Sequence, residues 1–167
     1  MAINFRRSRK HDEDLIVDRV TGAFNRRQLD LDIANGVDPS GLSTATLIVE
    51  VDDCDKYGKP DSAQVNQILE RVAWVVMATV RTSDIVYRQA SSSFCILLPA
   101  TADDDASIVA ERIRANIEST PLLCESNVTV SVGVAIGPSK LLGETVERAD
   151  AALHSISGSG GNRVAYS

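Results

Sequence analysis

Apolar residues along this chain change their period several times, and each change marks an element. Val65, Ile68, Leu69, Val72, Val75, Val76 and Val80 recur at three and four and predict a long amphipathic helix over 62–80. In Asn25-Arg-Arg-Gln-Leu-Asp-Leu-Asp-Ile-Ala34, Leu29, Ile33 and Ala34 stand near helical spacing, and Asn35-Gly36 closes that helix. The β-branched run Thr44-Ala-Thr-Leu-Ile-Val-Glu-Val51 predicts a buried strand. Two short strands, Asp84-Ile-Val-Tyr-Arg88 and Phe94-Cys-Ile-Leu-Leu98, flank a hairpin tip. Thr101 to Ser119 reads as a helix with Thr101 as N-cap and Asp103, Asp104 and Asp105 set against the dipole of its first turn. That placement makes the acidic run a helix-start device rather than a metal site. Asn127 to Ile136 alternates and predicts a strand with one face buried, followed by a helix over 142–156 and a final strand Arg163-Val-Ala-Tyr166. This order suits a mixed α/β sheet covered by helices, with no internal repeat and no interdomain linker.

At 167 residues the chain is long enough to bury a core as one domain, 18–167, preceded by a basic tail or lead-in helix over 1–17. Hydrophobic residues make up 44% and aromatics are few, so the core is expected to be aliphatic. The net charge of −6 argues against nucleic acid as partner; an anionic ligand would need locally clustered arginine or lysine. Cys54, Cys95 and Cys124 show no paired spacing, and Cys95 within an apolar strand reads as a buried thiol of a reducing cytoplasm. No stretch is long enough to enter a membrane as a helix. Asn4-Phe-Arg-Arg-Ser-Arg-Lys-His11 is followed by acids instead of an apolar core, so it reads as a solvated tail and not a secretion signal, contact with an acidic partner or a membrane being the alternative.

Five blocks then acquire a common meaning. Asp18-Arg-Val-Thr-Gly-Ala-Phe-Asn-Arg-Arg27, the hairpin Arg88–Phe94, Ser131-Val-Gly-Val-Ala135, Ala149-Asp-Ala-Ala-Leu153 and the closing Gly160, Asn162, Arg163 and Val164 resemble, in order and spacing, the motifs of the bacterial GGDEF domain. The likeness covers about residues 18 to 166 and implies a nucleotide-cyclase fold with a ferredoxin-like βαββαβ core. The family's enzymes join two GTP molecules into cyclic di-GMP across a dimer of domains, using divalent ions held by carboxylates.

The resemblance also implies what this chain lacks. Where the family reads R-Y-G-G-D/E-E-F, Ala90, Ser91, Ser92 and Ser93 precede Phe94. The family's first metal-binding aspartate corresponds to Glu50, and its second ligand to Ser92, a neutral hydroxyl that cannot offset a divalent charge. Glu50 is either a vestigial ligand or a surface acid at a strand end. The guanine-reading asparagine becomes Gly58, the guanine-reading aspartate Asn66, and the basic residues that grip triphosphate become Ser157 and Gly161. No histidine stands in sequence to activate a serine, and His154 reads as a packing or surface residue. The expectation is a catalytically inactive domain with no metal and no cofactor.

One further motif stays intact. Arg81-Thr-Ser-Asp84 ends six residues before Ala90, the register of the family's inhibitory R-x-x-D site for cyclic di-GMP, and Arg112 occupies the position of the family's additional arginine. An arginine fork pairs with guanine O6 and N7 or with phosphate, and an aspartate accepts from guanine N1–H and N2–H. The competing reading is an exposed Arg81–Asp84 ion pair, or Asp84 as a cap to its own turn. Function therefore divides three ways: a cyclic di-GMP receptor signalling to a protein partner, a nucleotide-independent interaction module, or residual cyclase activity. Because the family's ligand tends to bridge two domains, the resemblance allows a homodimer.

Overall fold

The computed structural model describes residues 16–38, 42–121 and 127–167. The expected basic tail before residue 16, and Cys124, lie outside them. Helix α1 spans Arg26–Asn35, strand β1 Ser43–Val51, helix α2 Ala63–Thr79, strand β2 Ile85–Arg88, strand β3 Ser93–Pro99, helix α3 Asp103–Ser119, strand β4 Val130–Pro138, helix α4 Leu142–Ile156 and strand β5 Val164–Tyr166. The sheet order is β2-β3-β1-β4-β5, antiparallel except for the β4–β5 pair. The expected mixed sheet covered by helices is what the chain forms.

Strand β1 sits at the centre because its alternate residues serve two separate cores. Leu47, Val49 and Val51 pack with Val65, Leu69 and Val72 of α2 and Ala110 and Ile113 of α3. Ile48, on the opposite face, joins Leu29 of α1 and Leu142, Ala149 and Leu153 of α4. Helix α2 is capped as its sequence suggests: the Ser62 side chain accepts from the Val65 amide, and the three–four repeat is buried apart from Val80, which is partly covered. At α1 the Asn25 side chain accepts from the Gln28 amide, and the Gly36 amide closes the last turn on Asp32.

Two expectations need correction. The N-cap of α3 is Ala102, which makes no side-chain cap; the Thr101 hydroxyl turns back to the Pro99 carbonyl at 3.3 Å, and Thr101 is buried. The three aspartates do occupy the first turn, where the helix dipole favours them. Strand β4 is covered on both faces, not one. Val130, Val132 and Val134 fill the core under α2 and α3, while Ser131, Gly133 and Ala135 face α4. The alternation is therefore of size rather than of polarity. A Cβ at Gly133 would come within 2.1 Å of the Ala149 carbonyl oxygen and 2.7 Å of the Leu153 amide, so the helix lies directly on the strand.

Candidate functional site

At the end of β1 the chain leaves a cleft of about 580 Å³. Glu50, Asp52, Asp53 and Asp55 line it, the hairpin contributes Ser91 and Ser92, and Gly58, Ser157 and Gly161 complete it. Asn66 is absent from this lining; its side-chain amide donates to the Asp61 carbonyl. Among the described residues no lysine, arginine or histidine lines the cleft. Of the positions singled out in sequence, Glu50, Gly58, Ser91, Ser92, Ser157 and Gly161 are thus brought together around an acidic and neutral surface, while Ala90, Ser93 and Asn66 lie outside the lining.

Glu50 is paired in register with Ser93 on β3 and Ser131 on β4, and its half-buried carboxylate makes no hydrogen bond or ion pair among the described residues. Burial pushes its pKa above the ordinary value; His154 opposes this, and Asp52 and Asp150 add to it. His154 itself is a surface residue, its side chain 73% exposed, with Nδ1 2.8 Å from the Asp150 carbonyl.

Asp52, two residues on, has another task, which motif reading missed. One oxygen accepts from the Ser131 hydroxyl at 2.7 Å; the other accepts from the Thr129 hydroxyl and the Asn162 amide, each at 2.7 Å. Gly161 at φ 66° delivers that amide, and a Cβ there would meet the Asp52 carboxyl carbon at 2.7 Å. The Asn162 side chain then accepts from Arg114 and donates to Glu118, both at 2.7 Å. Glu118 is held below its ordinary pKa by the hydrogen bond it accepts from Arg114 at 2.9 Å and, after that, by the one from Asn162. The signal in sequence was the closing G-x-N block, whose partner lies 110 positions upstream.

The hairpin keeps its shape without glycine. Arg88 donates from Nε to the Ala90 carbonyl at 2.6 Å and from a terminal nitrogen to the Ser91 carbonyl, and its guanidinium lies 5.6 Å above the Phe94 ring. Asp18 stands 3.9 Å from the same guanidinium, and its Oδ1 accepts from the Thr21 amide and hydroxyl. The Gln89 and Ala90 amides donate to the Ser93 carbonyl, and the Val51 amide donates to that of Ser92. None of residues 90–93 adopts positive φ, so alanine and serine strain nothing here.

Arg81, Asp84 and Arg112 lie apart from the cleft lining. The Arg81 amide donates to Asp84 Oδ2 at 2.7 Å, and the Asp84 amide returns to the Arg81 carbonyl at 3.0 Å. The contact between the two residues is therefore a cap rather than a guanidinium ion pair. Arg112 is exposed on α3, one turn before Asn116. Asn116 donates to the Thr79 hydroxyl at 3.0 Å, which lays this part of α3 against the end of α2, two residues before Arg81. Among the described residues neither the Arg81 nor the Arg112 guanidinium forms an ion pair.

The family model described as "Diguanylate cyclase, GGDEF domain" matches residues 15–163. The chain belongs to the GGDEF domain family. The response regulator PleD of Caulobacter vibrioides (strain NA1000 / CB15N) is 29% identical over 163 residues, covering 89% of this chain and 35% of PleD. Diguanylate cyclase A of Treponema denticola is 31% identical over 140 residues, covering 78% of this chain and 38% of the enzyme. This GGDEF domain thus spans about a third of the length of these two curated relatives.

Solved structures share the fold. The coiled coil and GGDEF domain of DgcB from Caulobacter crescentus, crystallised in complex with cyclic di-GMP, aligns with a TM-score of 0.84 at 23% identity over 97% of this chain and 93% of that one. The diguanylate cyclase SiaD of Pseudomonas aeruginosa, in complex with its activator SiaC, aligns at 0.81 with 26% identity over 97% of this chain and 68% of SiaD. No helix among the described residues of the GGDEF domain is long and apolar enough to cross a membrane.

Proposed function

We propose that this GGDEF domain is a catalytically inactive receptor that binds cyclic di-GMP through Arg81, Asp84 and Arg112 and passes the signal to a protein partner in the cytoplasm. The observation that carries the reading is the Asn116–Thr79 hydrogen bond. It ties α3, one turn after Arg112, to Thr79, two residues before Arg81, and both guanidinium groups are exposed and unpaired among the described residues. Two such cations offset the two phosphate charges of the ligand, and their fork geometry suits phosphate or the guanine edge. Asp84 keeps an oxygen beyond the one that caps the Arg81 amide.

The loss of catalysis is supported by the cleft. Four carboxylates line it with no basic residue among the described ones, so a GTP triphosphate would meet repulsion in place of a clamp. Metal ions would need carboxylates free to coordinate them, yet Asp52 is fully engaged with Thr129, Ser131 and Asn162. Ser92 offers a hydroxyl only. Asp53 pairs with Lys56, and the hairpin side of the cleft, Ser91 and Ser92, offers Glu50 no second carboxylate for a site with two ions.

Titration calorimetry with cyclic di-GMP tests the reading. Binding is expected at about tens of micromolar or tighter, with Arg81→Ala weakening it at least about tenfold, the scale of one charged hydrogen-bonding group. No heat at that concentration, or an unchanged Kd in Arg81→Ala, would overturn it. A second reading, a nucleotide-independent interaction module, is favoured by the Asp84 side chain already capping its own turn. It predicts a partner captured equally well with or without the dinucleotide and by Arg81→Ala.

A further inference from the structure

Helix α2 turns its apolar stripe to the core, and its opposite face carries Glu70, Arg71, Trp74, Met77 and Ala78 in solvent. Trp74 is the chain's single tryptophan, and it stands 57% exposed. Isolated exposed apolar residues are ordinary. Two features set this one apart. The Arg71 guanidinium carbon lies 4.5 Å from the indole centroid, an i,i+3 contact that restricts the ring's rotamers and occupies one of its faces. Trp74 also stands five positions before Thr79, the last residue of the helix, whose hydroxyl accepts from Asn116 one turn after Arg112. At 1.5 Å per residue those five positions span about 7.5 Å, and the extended Val80 then leads to Arg81.

We propose that Trp74 is the stacking platform for one guanine base of the dinucleotide, with Arg71 fixing the ring; this rests on the receptor reading above. A cyclic dinucleotide carries two purines on one ribose–phosphate ring. Arg81 and Asp84 can read the edge of one base, and Arg112 can offset phosphate, which leaves the flat face of the second base unmatched. A pre-oriented indole toward the C-terminal end of α2, the end that leads to Arg81, supplies that face. Stacking on an aromatic side chain tolerates any base but is worth a large share of the affinity. Because Arg71 already holds the ring, little side-chain freedom is lost on binding. Arg71 itself presents a second fork to phosphate or to guanine O6 and N7.

The single tryptophan makes the test direct. Intrinsic fluorescence of the intact chain is titrated with cyclic di-GMP beside calorimetry on the same samples. The expected result is quenching that saturates along the calorimetric curve, with Trp74→Ala raising Kd about 5- to 100-fold and Trp74→Phe far less. Heat that is lost in Arg81→Ala but unchanged in Trp74→Ala, with no fluorescence change in the parent chain, overturns the platform and leaves the receptor reading standing. No heat at all in the parent chain overturns both. The fluorescence arm uses the unmodified protein, so it decides the matter even where a variant folds poorly.

Discussion

Glu50 keeps a carboxylate half-buried among other acids, with no hydrogen bond to stabilise its charge among the described residues. Its pKa in the folded chain lies above the unfolded value, chiefly through burial. A group raised in this way stabilises the fold while protonated in both states, and that contribution is lost as pH rises through the folded pKa. Glu50→Gln should therefore raise the melting temperature at pH 7, and the gain should fade as pH falls to about 4, where the glutamate itself is protonated. Thermal scans at the two pH values check the sign; a gain that grows on acidification would contradict it. Asp52, two residues away, differs in its partners, since both its oxygens accept hydrogen bonds, three in all. Motif matching saw Glu50 as a departure from the family. It could not see that its neighbour binds the C-terminal loop, since the partner amide of Asn162 is distant in sequence.

At the scale of elements, β4 and α4 are in close backbone contact at Gly133. The small residues Ser131, Gly133 and Ala135 let the helix rest on the strand, and Ala149 and Leu153 are the residues that meet it. The two sequence blocks that contain them thus have one shared physical cause. Gly133→Ala would drive a methyl group into the Ala149 carbonyl and the Leu153 backbone, neither of which yields like a flexible side-chain end. A loss of about 3 kcal/mol or more is expected, at the upper end of overpacking. Urea unfolding would measure it as a lower midpoint, and a midpoint unchanged within error would show that α4 shifts without cost. The hairpin gives the opposite lesson. Its glycines are gone, yet the loop persists because Arg88 ties the Ala90 and Ser91 carbonyls to the Phe94 and Asp18 side.

For the whole molecule, the cleft and the Arg81–Asp84–Arg112 group draw on different parts of one sheet and helix layer, so one can be lost without the other. Incubation with GTP and magnesium or manganese should yield no cyclic di-GMP; clear turnover would show that Glu50 and Ser92 suffice to hold the ions. Periodicity alone located nearly every helix and strand, because burial against a two-sided sheet imposes spacings of two and of three to four on the side chains. Ordered motifs likewise identified the family. Tertiary structure alone decided that β4 is buried on both faces, that Thr101 turns away from the helix it was expected to cap, and that Asp52 is held by a loop more than a hundred residues later. Those outcomes depend on which surfaces meet, and a local pattern of polar and apolar residues carries no record of its distant partner. The sequence determined that the hairpin's acids are serines. Only the fold decided that the cleft behind them holds no basic residue among those described, and that Asn116, one turn after Arg112, is tied to Thr79, two residues before Arg81.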